Sequence, residues 1–398
     1  MTTDIDHDEG ETPRIESIKV ENYRSLKRIE IKKLTSLTVL IGPTGSGKTT
    51  ILDALDFLSE CFSLDLHRAW NSRGQARAIK TCGQSEAIQF EIEYRERPGT
   101  PPITYHLEID EEKRRPIVTR EWMRWKRNPS GRSFRFLDFE NGEGYITGGE
   151  MPDETDKRIP VRFRHPDTIA VNTLGTLSDH PRVAALRDFI KDWHLSNLST
   201  EKIRSQPEAG PQKRLSKDGS NLADVIQSIK ERHPKRLESI SSTMRRLIPR
   251  FDSTSIGMMD NAPVSLQTKD IPFERPISIK HTSDGTLKIL AYLTLLHDPT
   301  PPGFIGIREP ENSIYPLMMQ RLGEEFRGAT GNSQLLITTH SPFLLDAMNP
   351  EEVRFVQRDR RGFTDIETVA DIPNIMHFFE DGASLGNLWT EGYFSSSL

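Results

Sequence analysis

Residues 41–50 read Ile41-Gly42-Pro43-Thr44-Gly45-Ser46-Gly47-Lys48-Thr49-Thr50, which fits the pattern G-x-x-x-x-G-K-[ST] with Gly42, Gly47, Lys48 and Thr49 on its fixed positions. Glycines allow the backbone to curl so that successive N–H groups point inward, and the missing Cβ leaves room for a phosphate. Thr44, Gly45 and Ser46 form the curl. Lys48 can reach outer phosphates, and the Thr49 hydroxyl suits Mg²⁺. Thr50 lies in the first turn of a helix whose positive end adds to the same field. Upstream, Leu34 to Ile41 (LTSLTVLI) is apolar and β-branched, as expected of a buried strand. Downstream, Ile51, Leu52, Leu55 and Leu58 share one helical face between Thr50 and Cys61. Strand, glycine loop and helix, in that order, separate a phosphate cradle from a plain glycine-rich turn.

The chain around this loop has 398 residues, enough for one large domain with insertions or for two domains. Charged residues make up 28% and apolar residues 35%, which predicts a polar surface, and the net charge of −5 confines any nucleic-acid site to a local patch. Cys61 and Cys82 are the two cysteines and neither sits in a C-x-x-C pair, so a disulfide framework or zinc site is not expected. No run approaches membrane-span length, and the acidic start is unlike a signal peptide; a cytoplasmic protein without a membrane partner is expected.

Along the chain, residues 1–13 are expected to be a disordered tail. Arg14 to Val20 alternates as a strand, Glu21 to Lys27 is a turn, and Leu26 to Ile31 is a second strand. After the loop and its helix, four strand-like pieces cover Ala87 to Tyr94, Ile103 to Ile109, Arg120 to Lys126 and Ser133 to Phe139, predicting an antiparallel sheet. From Asp167 the pattern turns helical at Val183 to Trp193, Leu222 to Ile229 and Lys235 to Leu247, with a polar loop over Leu195 to Gln212. Strand patterns return over Val264 to Ile279. Gly285 to Leu296 and Ile314 to Phe326 then read as helices, and Gly303 to Ile307, Gln334 to Thr338 and Val353 to Gln357 as strands. The boundaries drawn on this basis are 14–165 for a nucleotide-core half with its antiparallel β subdomain, 166–262 for an inserted helical subdomain, and 263–398 for the second core half.

The second half carries its own polar tips. Phe304 to Ile307 is an apolar strand that runs into Arg308-Glu309-Pro310-Glu311-Asn312, and Leu335 to Ile337 runs into Thr338-Thr339-His340-Ser341-Pro342. Carboxylates at strand ends beside a phosphate loop handle Mg²⁺ and the attacking water, which makes Glu309 a candidate base and metal contact. His340 is placed to reach a γ-phosphate. Solvated strand tips and a structural histidine account for the same residues more plainly. Ser283-Asp284-Gly285-Thr286 opens a helix and offers a second anion seat, although an ordinary capped helix has the same signature.

Taken together, these motifs resemble the ABC-type head ATPases related to the SMC, DNA-repair-head and OLD-nuclease groups, in the stand-alone bacterial "predicted ATPase" branch of the AAA family. The likeness rests on Asn22-Tyr23-Arg24-Ser25, the phosphate loop, Leu215-Ser216-Lys217-Asp218-Gly219-Ser220-Asn221-Leu222, Ser283 to Thr286, Arg308 to Pro316, Thr339 to Pro342 and Leu385 to Trp389, and it spans nearly the whole chain after residue 14. It implies an α/β P-loop NTPase fold of ABC-head type, with an attached antiparallel β subdomain and an inserted, mainly helical subdomain. It implies ATP and Mg²⁺ as cofactors, with Arg24 joining the nucleotide ligands. It also implies a homodimer or higher homo-oligomer, in which Ser283, Asp284 and Gly285 of one copy face the ATP bound by another. Glu309 would polarise water, Thr49 and Glu309 would meet the metal, and His340 would sense the γ-phosphate. Relatives of this branch act in anti-phage defence, which implies a sensor subunit that controls a separate nuclease or toxin. Two departures stand out: Arg308 replaces the acid that normally precedes the glutamate, and Ser313 and Tyr315 replace a glycine and a histidine. A nucleotide scaffold with slow hydrolysis, or a DNA-maintenance ATPase, are the alternatives. No glutamine qualifies clearly as the Q-loop residue, Gln84 and Gln89 included.

Lys113 to Arg135 interleaves nine basic residues with Trp122, Trp125 and Phe134. This mixture suits a nucleic-acid backbone or an acidic protein. One solvated face of a sheet with aromatics packed beneath it gives the same pattern.

Overall fold

Antiparallel pairing builds the first sheet. In the computed structural model, which describes residues 12–126, 132–205, 214–257 and 265–394, Arg14–Tyr23 (β1) turns at Arg24-Ser25 and pairs antiparallel with Leu26–Ile31 (β2). Of the expected tail, residues 1–11 lie outside the described residues. The chain continues through Leu37–Ile41 (β3), Lys48–Ser63 (α1), Leu66–Ser72 (α2) and Gln75–Ile79 (α3). It then forms Ile88–Arg95 (β4), Ile103–Glu112 (β5), Arg115–Trp125 (β6), Phe134–Glu140 (β7), Glu143–Thr147 (β8) and Arg158–Arg162 (β9). The eight-stranded sheet has the order β2-β1-β4-β5-β6-β7-β8-β9, antiparallel throughout. In β4 each apolar residue of the alternation, Ile88, Phe90, Ile92 and Tyr94, is buried. Ala170–Leu174 (α4) and Pro181–Lys191 (α5) follow, and the Ser59 hydroxyl on α1 donates to the Ile190 carbonyl at 3.2 Å.

Two compact units result. The first takes the chain up to Trp193 and returns for Arg354–Glu367; the second takes His194–Val353 and Thr368–Leu398. In the first unit α1 is the core helix. Ile51, Leu55, Phe57, Leu58 and Cys61 are fully buried, and Phe57 stacks on Phe90 with ring centroids 6.0 Å apart. The five buried residues of β3 carry no alternation because both faces are covered. In a separate sheet, Val353–Arg358 (β16) and Thr364–Thr368 (β17) follow β3 in that order.

In the second unit His194–Ser196 (β10), Phe304–Arg308 (β14) and Gln334–Thr339 (β15) form a parallel ladder, with Ser196 opposite Ile307 and Arg308 opposite Thr338. Between β10 and β14 come Thr200–Ser205 (α6), Leu222–Arg232 (α7), Pro234–Leu247 (α8), Phe251–Gly257 (β11), Ser265–Asp270 (β12), Ile277–Ser278 (β13) and Asp284–Leu296 (α9). β11, β12 and β13 make a three-stranded antiparallel sheet. Met318–Gly328 (α10), Pro342–Leu345 (α11), Ile375–Glu380 (α12) and Leu385–Thr390 (α13) complete the unit.

Two sequence expectations need correction. Leu195 to Gln212 is not a loop throughout: β10 and α6 lie within it, and residues 206–213 are outside the described set. A three-residue strand with polar ends has no period to detect; its burial comes from pairing with β14. The helix expected from Ile314 starts four residues later, because Ser313 has φ +68° and Pro316 follows, which holds a turn there.

Candidate functional site

Residues 42–47 join β3 to α1, and Lys48, Thr49 and Thr50 open α1, as expected. Gly45 (φ +80°) and Gly47 (φ +113°) take the left-handed conformations that shape the curl. A Cβ on Gly42 would lie 2.0 Å from the Val356 carbonyl oxygen, and one on Gly47 would lie 2.1 Å from the Thr364 hydroxyl. The cradle therefore requires glycine at both places. Its back is braced by β16 and β17. The Thr364 hydroxyl donates to the Ser46 carbonyl at 3.0 Å and shares a hydrogen bond with the Ser25 hydroxyl at 3.0 Å, while Arg358 Nε donates to the Gly45 carbonyl at 2.7 Å. Lys48 folds over its own loop, and its ammonium donates to the carbonyls of Gly42 (2.7 Å) and Pro43 (3.0 Å). Thr44 and Gly45 are exposed and Ser46 is buried. Thr49 exposes its side chain in the first turn of α1 with Thr50 half-buried behind it, so an oxygen there is open to a cation.

The Asn22-Tyr23-Arg24-Ser25 turn is tied to the same helix. Asn22 (φ +60°) and Arg24 (φ +49°) are left-handed, and Asp53 on α1 receives the Tyr23 hydroxyl at 2.6 Å and the Arg24 guanidinium at 2.8 Å. Arg24 is thus held by a carboxylate of α1, and its neighbour Ser25 reaches the loop through Thr364.

In the second unit the tips of β14 and β15 meet. Glu309 takes φ +41°, and its N–H donates to the Thr338 carbonyl at 2.9 Å. Its carboxylate receives the Asn312 amide at 3.1 Å and stands 3.8 Å from His340 Nε2. Glu311 joins the tips: one oxygen accepts the His340 N–H at 2.6 Å, and the other accepts the Thr339 hydroxyl at 3.0 Å. Glu309 and His340 are therefore brought together, and Glu311 is a residue that spacing alone did not single out. Arg308 lies one residue before Glu309, at the end of β14.

Ser283 caps α9, its Oγ accepting the Thr286 N–H at 3.2 Å. Asp284 is bound by Arg204 at 2.5 Å. A Cβ on Gly285 would lie 2.7 Å from the Ser313 carbonyl oxygen, so the helix start presses on the turn that carries Glu309. Burial lowers the pKa of Lys288 from its ordinary value, opposed by the charges of Glu311, Asp284 and Glu309. Leu215 to Leu222 closes on itself: Asn221 accepts the Ser216 N–H at 2.8 Å, and Asp218 accepts the Ser216 hydroxyl at 2.9 Å. The Lys217 carbonyl then takes the Asn197 N–H at 2.8 Å, which fastens this turn beyond the end of β10.

The basic stretch folds as β6 and β7. Trp122, Trp125, Phe134 and Phe136 are all buried, and Trp122 stacks on His106 with centroids 4.8 Å apart. Arg124 and Arg135 lie over the Trp122 ring, and Arg120 pairs with Asp138 at 2.6 Å. These aromatics are committed to packing and leave no exposed ring for a base to stack on. Arg127 lies outside the described residues.

The profile of the family described as "AAA domain, putative AbiEii toxin, Type IV TA system" matches residues 37–346. The chain belongs to this family. Over 56 residues it is 34% identical to the DNA replication and repair protein RecF of Saccharophagus degradans, covering 14% of this chain and 15% of that protein. Over 41 residues it is 49% identical to the DNA double-strand break repair Rad50 ATPase of Methanopyrus kandleri, covering 10% of this chain and 5% of that one. The matched stretches are thus a small part of either relative. Among solved structures, an Smc head domain with an extended coiled coil, bound to the C-terminal domain of ScpA derived from Pyrococcus furiosus, is similar with a TM-score of 0.53 at 14% identity, over 93% of this chain and 100% of that one. An SmcHead bound to the C-winged helix domain of ScpA gives 0.50 at 14% identity, over 89% and 96%. The fold is that of an SMC-like, ABC-type ATPase head. Among the described residues no helix is long and apolar enough to cross a membrane.

Proposed function

We propose that this member of the family is an ATP-binding and ATP-hydrolysing switch. Gly42 to Thr50 hold the triphosphate, with Lys48 leaving its own loop carbonyls for the outer phosphates. Thr49 and Glu309 would hold Mg²⁺, which would neutralise phosphate charge. Glu309 orients and deprotonates the attacking water, and His340 reads the γ-phosphate. Ser283, Asp284 and Gly285 of a second copy complete the site, so the working unit is a homodimer or a higher homo-oligomer. The observation that carries this reading is the cradle itself: Gly42 and Gly47 admit no side chain, and Thr364 and Arg358 brace the loop in a phosphate-binding shape. The test is phosphate release and sedimentation with Mg²⁺ and ATP. Turnover is expected to fall in Lys48→Ala and Glu309→Gln, and Glu309→Gln is expected to accumulate as a dimer with ATP. A chain that stays monomeric, with both substitutions neutral, overturns the reading.

The finer reading is a regulatory subunit of an anti-phage system that controls a separate nuclease or toxin. The toxin and toxin–antitoxin wording of the family description favours it. Cells carrying the native operon should lose phage protection with Lys48→Ala, and a nuclease or toxin should co-purify. Toxicity from this chain alone would make it the effector instead.

Arg308 favours a second reading, a nucleotide-dependent scaffold with little turnover. Arg308→Glu should then raise Mg²⁺-dependent hydrolysis; steady turnover at ordinary enzymatic rates in the wild type eliminates it. The local likeness to RecF and Rad50 favours a DNA-maintenance role, for which DNA-stimulated turnover is the signature. No DNA binding even at low salt rules that out, since backbone contacts strengthen there.

A further inference from the structure

Leu385 to Trp389, one of the motifs of this chain, has no place in the phosphate cradle or at the strand tips. It opens α13, which lies against α11, the short helix that leaves the His340 tip of the second unit. Gly386 makes the close approach. A Cβ there would lie 2.4 Å from the Pro342 carbonyl oxygen and 2.5 Å from Asp346 Oδ1, and the Gly386 N–H donates to that same oxygen at 2.9 Å. Leu385 and Leu388 are buried, and Ser384 caps α13, its Oγ accepting the Asn387 N–H at 3.3 Å. α10 meets the α11 region in a similar way: a Cβ on Gly323 would lie 2.8 Å from the Ala347 Cβ and 3.1 Å from Leu344 Cδ1. Two glycines thus let two helices close on a helix of four residues. A helix that short has no stability of its own, so what packs on it decides where it stands. Only Ser341 separates α11 from His340. Both amides of this link are engaged, Ser341 N–H by Thr339 Oγ1 at 2.9 Å and His340 N–H by Glu311 at 2.6 Å. No slack segment remains, and a shift of Pro342 carries His340 with it.

We propose that Gly386 and Asp346 are positioning residues for the γ-phosphate sensor: they seat α13 on α11 and thereby fix where His340 stands. The proposal rests on the role given to His340 under the ATPase reading. Both residues act through Pro342 and Ser341 on His340.

Full-length wild type is compared with Gly386→Ala, Asp346→Ala, Asp346→Asn, His340→Ala and the Gly386→Ala/His340→Ala double variant. Thermal melts check folding, and Asp346→Ala replaces Gly386→Ala in the cycle if the alanine at 386 prevents it. Gly386→Ala must move the Pro342 carbonyl, so kcat should fall by roughly tenfold to a hundredfold, the cost of displacing a reacting group by about 1 Å. ADP affinity should stay within about twofold, because ADP lacks the phosphate that His340 reads and sites without shared partners couple little. The ratio of ATP to ADP affinity should fall by about tenfold, the worth of one hydrogen bond to a charged group. Asp346→Asn keeps an oxygen for the Gly386 N–H and should behave as wild type, whereas Asp346→Ala should follow Gly386→Ala. In the His340→Ala background, Gly386→Ala should change the ATP-to-ADP ratio no further. An additive loss there overturns the proposal, because α13 would then be a general support; equal losses in Asp346→Asn and Asp346→Ala overturn it too. Hydrogen exchange needs no nucleotide. The His340 and Ser341 amides should exchange faster in Asp346→Ala and at the wild-type rate in Asp346→Asn, and unchanged protection in Asp346→Ala refutes the coupling. A wild type with no Lys48-dependent turnover would instead refute the ATPase reading, and exchange would still decide whether α13 fixes the His340 tip.

Discussion

Replacing Thr364 by valine removes one hydroxyl from behind the phosphate loop while keeping its volume. Thr364 is 4% exposed, and the residue it braces, Ser46, is 1% exposed. The Thr364 hydroxyl donates to the Ser46 carbonyl at 3.0 Å, so the Ser25 hydroxyl, also at 3.0 Å, must be the donor in the bond it shares. In Thr364→Val both partners are orphaned. Ser25 is half-buried and can turn to water, but the Ser46 carbonyl cannot. One buried acceptor left unpaired costs about 1–3 kcal/mol, and the loop can recover it only by opening. If ATP binds the closed shape, affinity falls by roughly five- to a hundredfold, since about 1.4 kcal/mol is a factor of ten. The assay is displacement of a fluorescent nucleotide from wild type, Thr364→Val and Thr364→Ser, with hydrogen exchange of the residue 44–48 amides. Thr364→Ser keeps the hydroxyl and is expected to stay within about threefold of wild type. Equal affinities for the valine and serine variants would refute the reasoning, because the hydroxyl would then be idle.

Further outcomes follow from the same geometry. Glu121 is fully buried; burial raises its pKa from 4.5 to about 7, against hydrogen bonds from the Val171 and Ala170 N–H groups and the Tyr105 hydroxyl. The folded state therefore holds this proton more tightly, and stability falls as pH rises from 4.5 to about 7, by about 3 kcal/mol in all. Urea unfolding across that window should show this slope in wild type and a flatter one in Glu121→Gln. Arg73, with its side chain 8% exposed, binds Asp53, Asp56 and Glu60, three carboxylates of α1. Arg73→Met should cost about 3 kcal/mol by removing the guanidinium that the three carboxylates share, read as a lower urea midpoint with an unchanged slope. Gly285→Ala puts a methyl 2.7 Å from the Ser313 carbonyl oxygen, and should slow hydrolysis, measured by kcat in a phosphate-release assay.

Much of the fold was legible before any coordinates. β4 alternates because one face of an antiparallel strand packs inward, and α1 shows its apolar face at helical spacing. The phosphate loop was legible for a different reason: its glycine pattern is local, and Gly45 and Gly47 take left-handed angles that favour glycine. Glu309 and His340 were marked by position at strand ends. What the residue order could not show was which distant groups support them. Thr364 and Arg358 lie more than 300 positions beyond the loop they brace, and a threonine at the start of β17 has no local signature. The same limit hid Glu311, whose two hydrogen bonds reach across 28 and 29 positions, and Lys288, which reads as an ordinary helical lysine until α9 is seen to be a core element. It also left Lys113 to Arg135 open between a ligand surface and a solvated sheet face, and the burial of Trp122 and Trp125 was not readable from the sequence. Patterns with a short period and special backbone angles are properties of neighbours along the chain, so sequence alone determined them. Hydrogen-bond partners and the burial of a charge depend on which remote segments meet, and only the tertiary structure decided those.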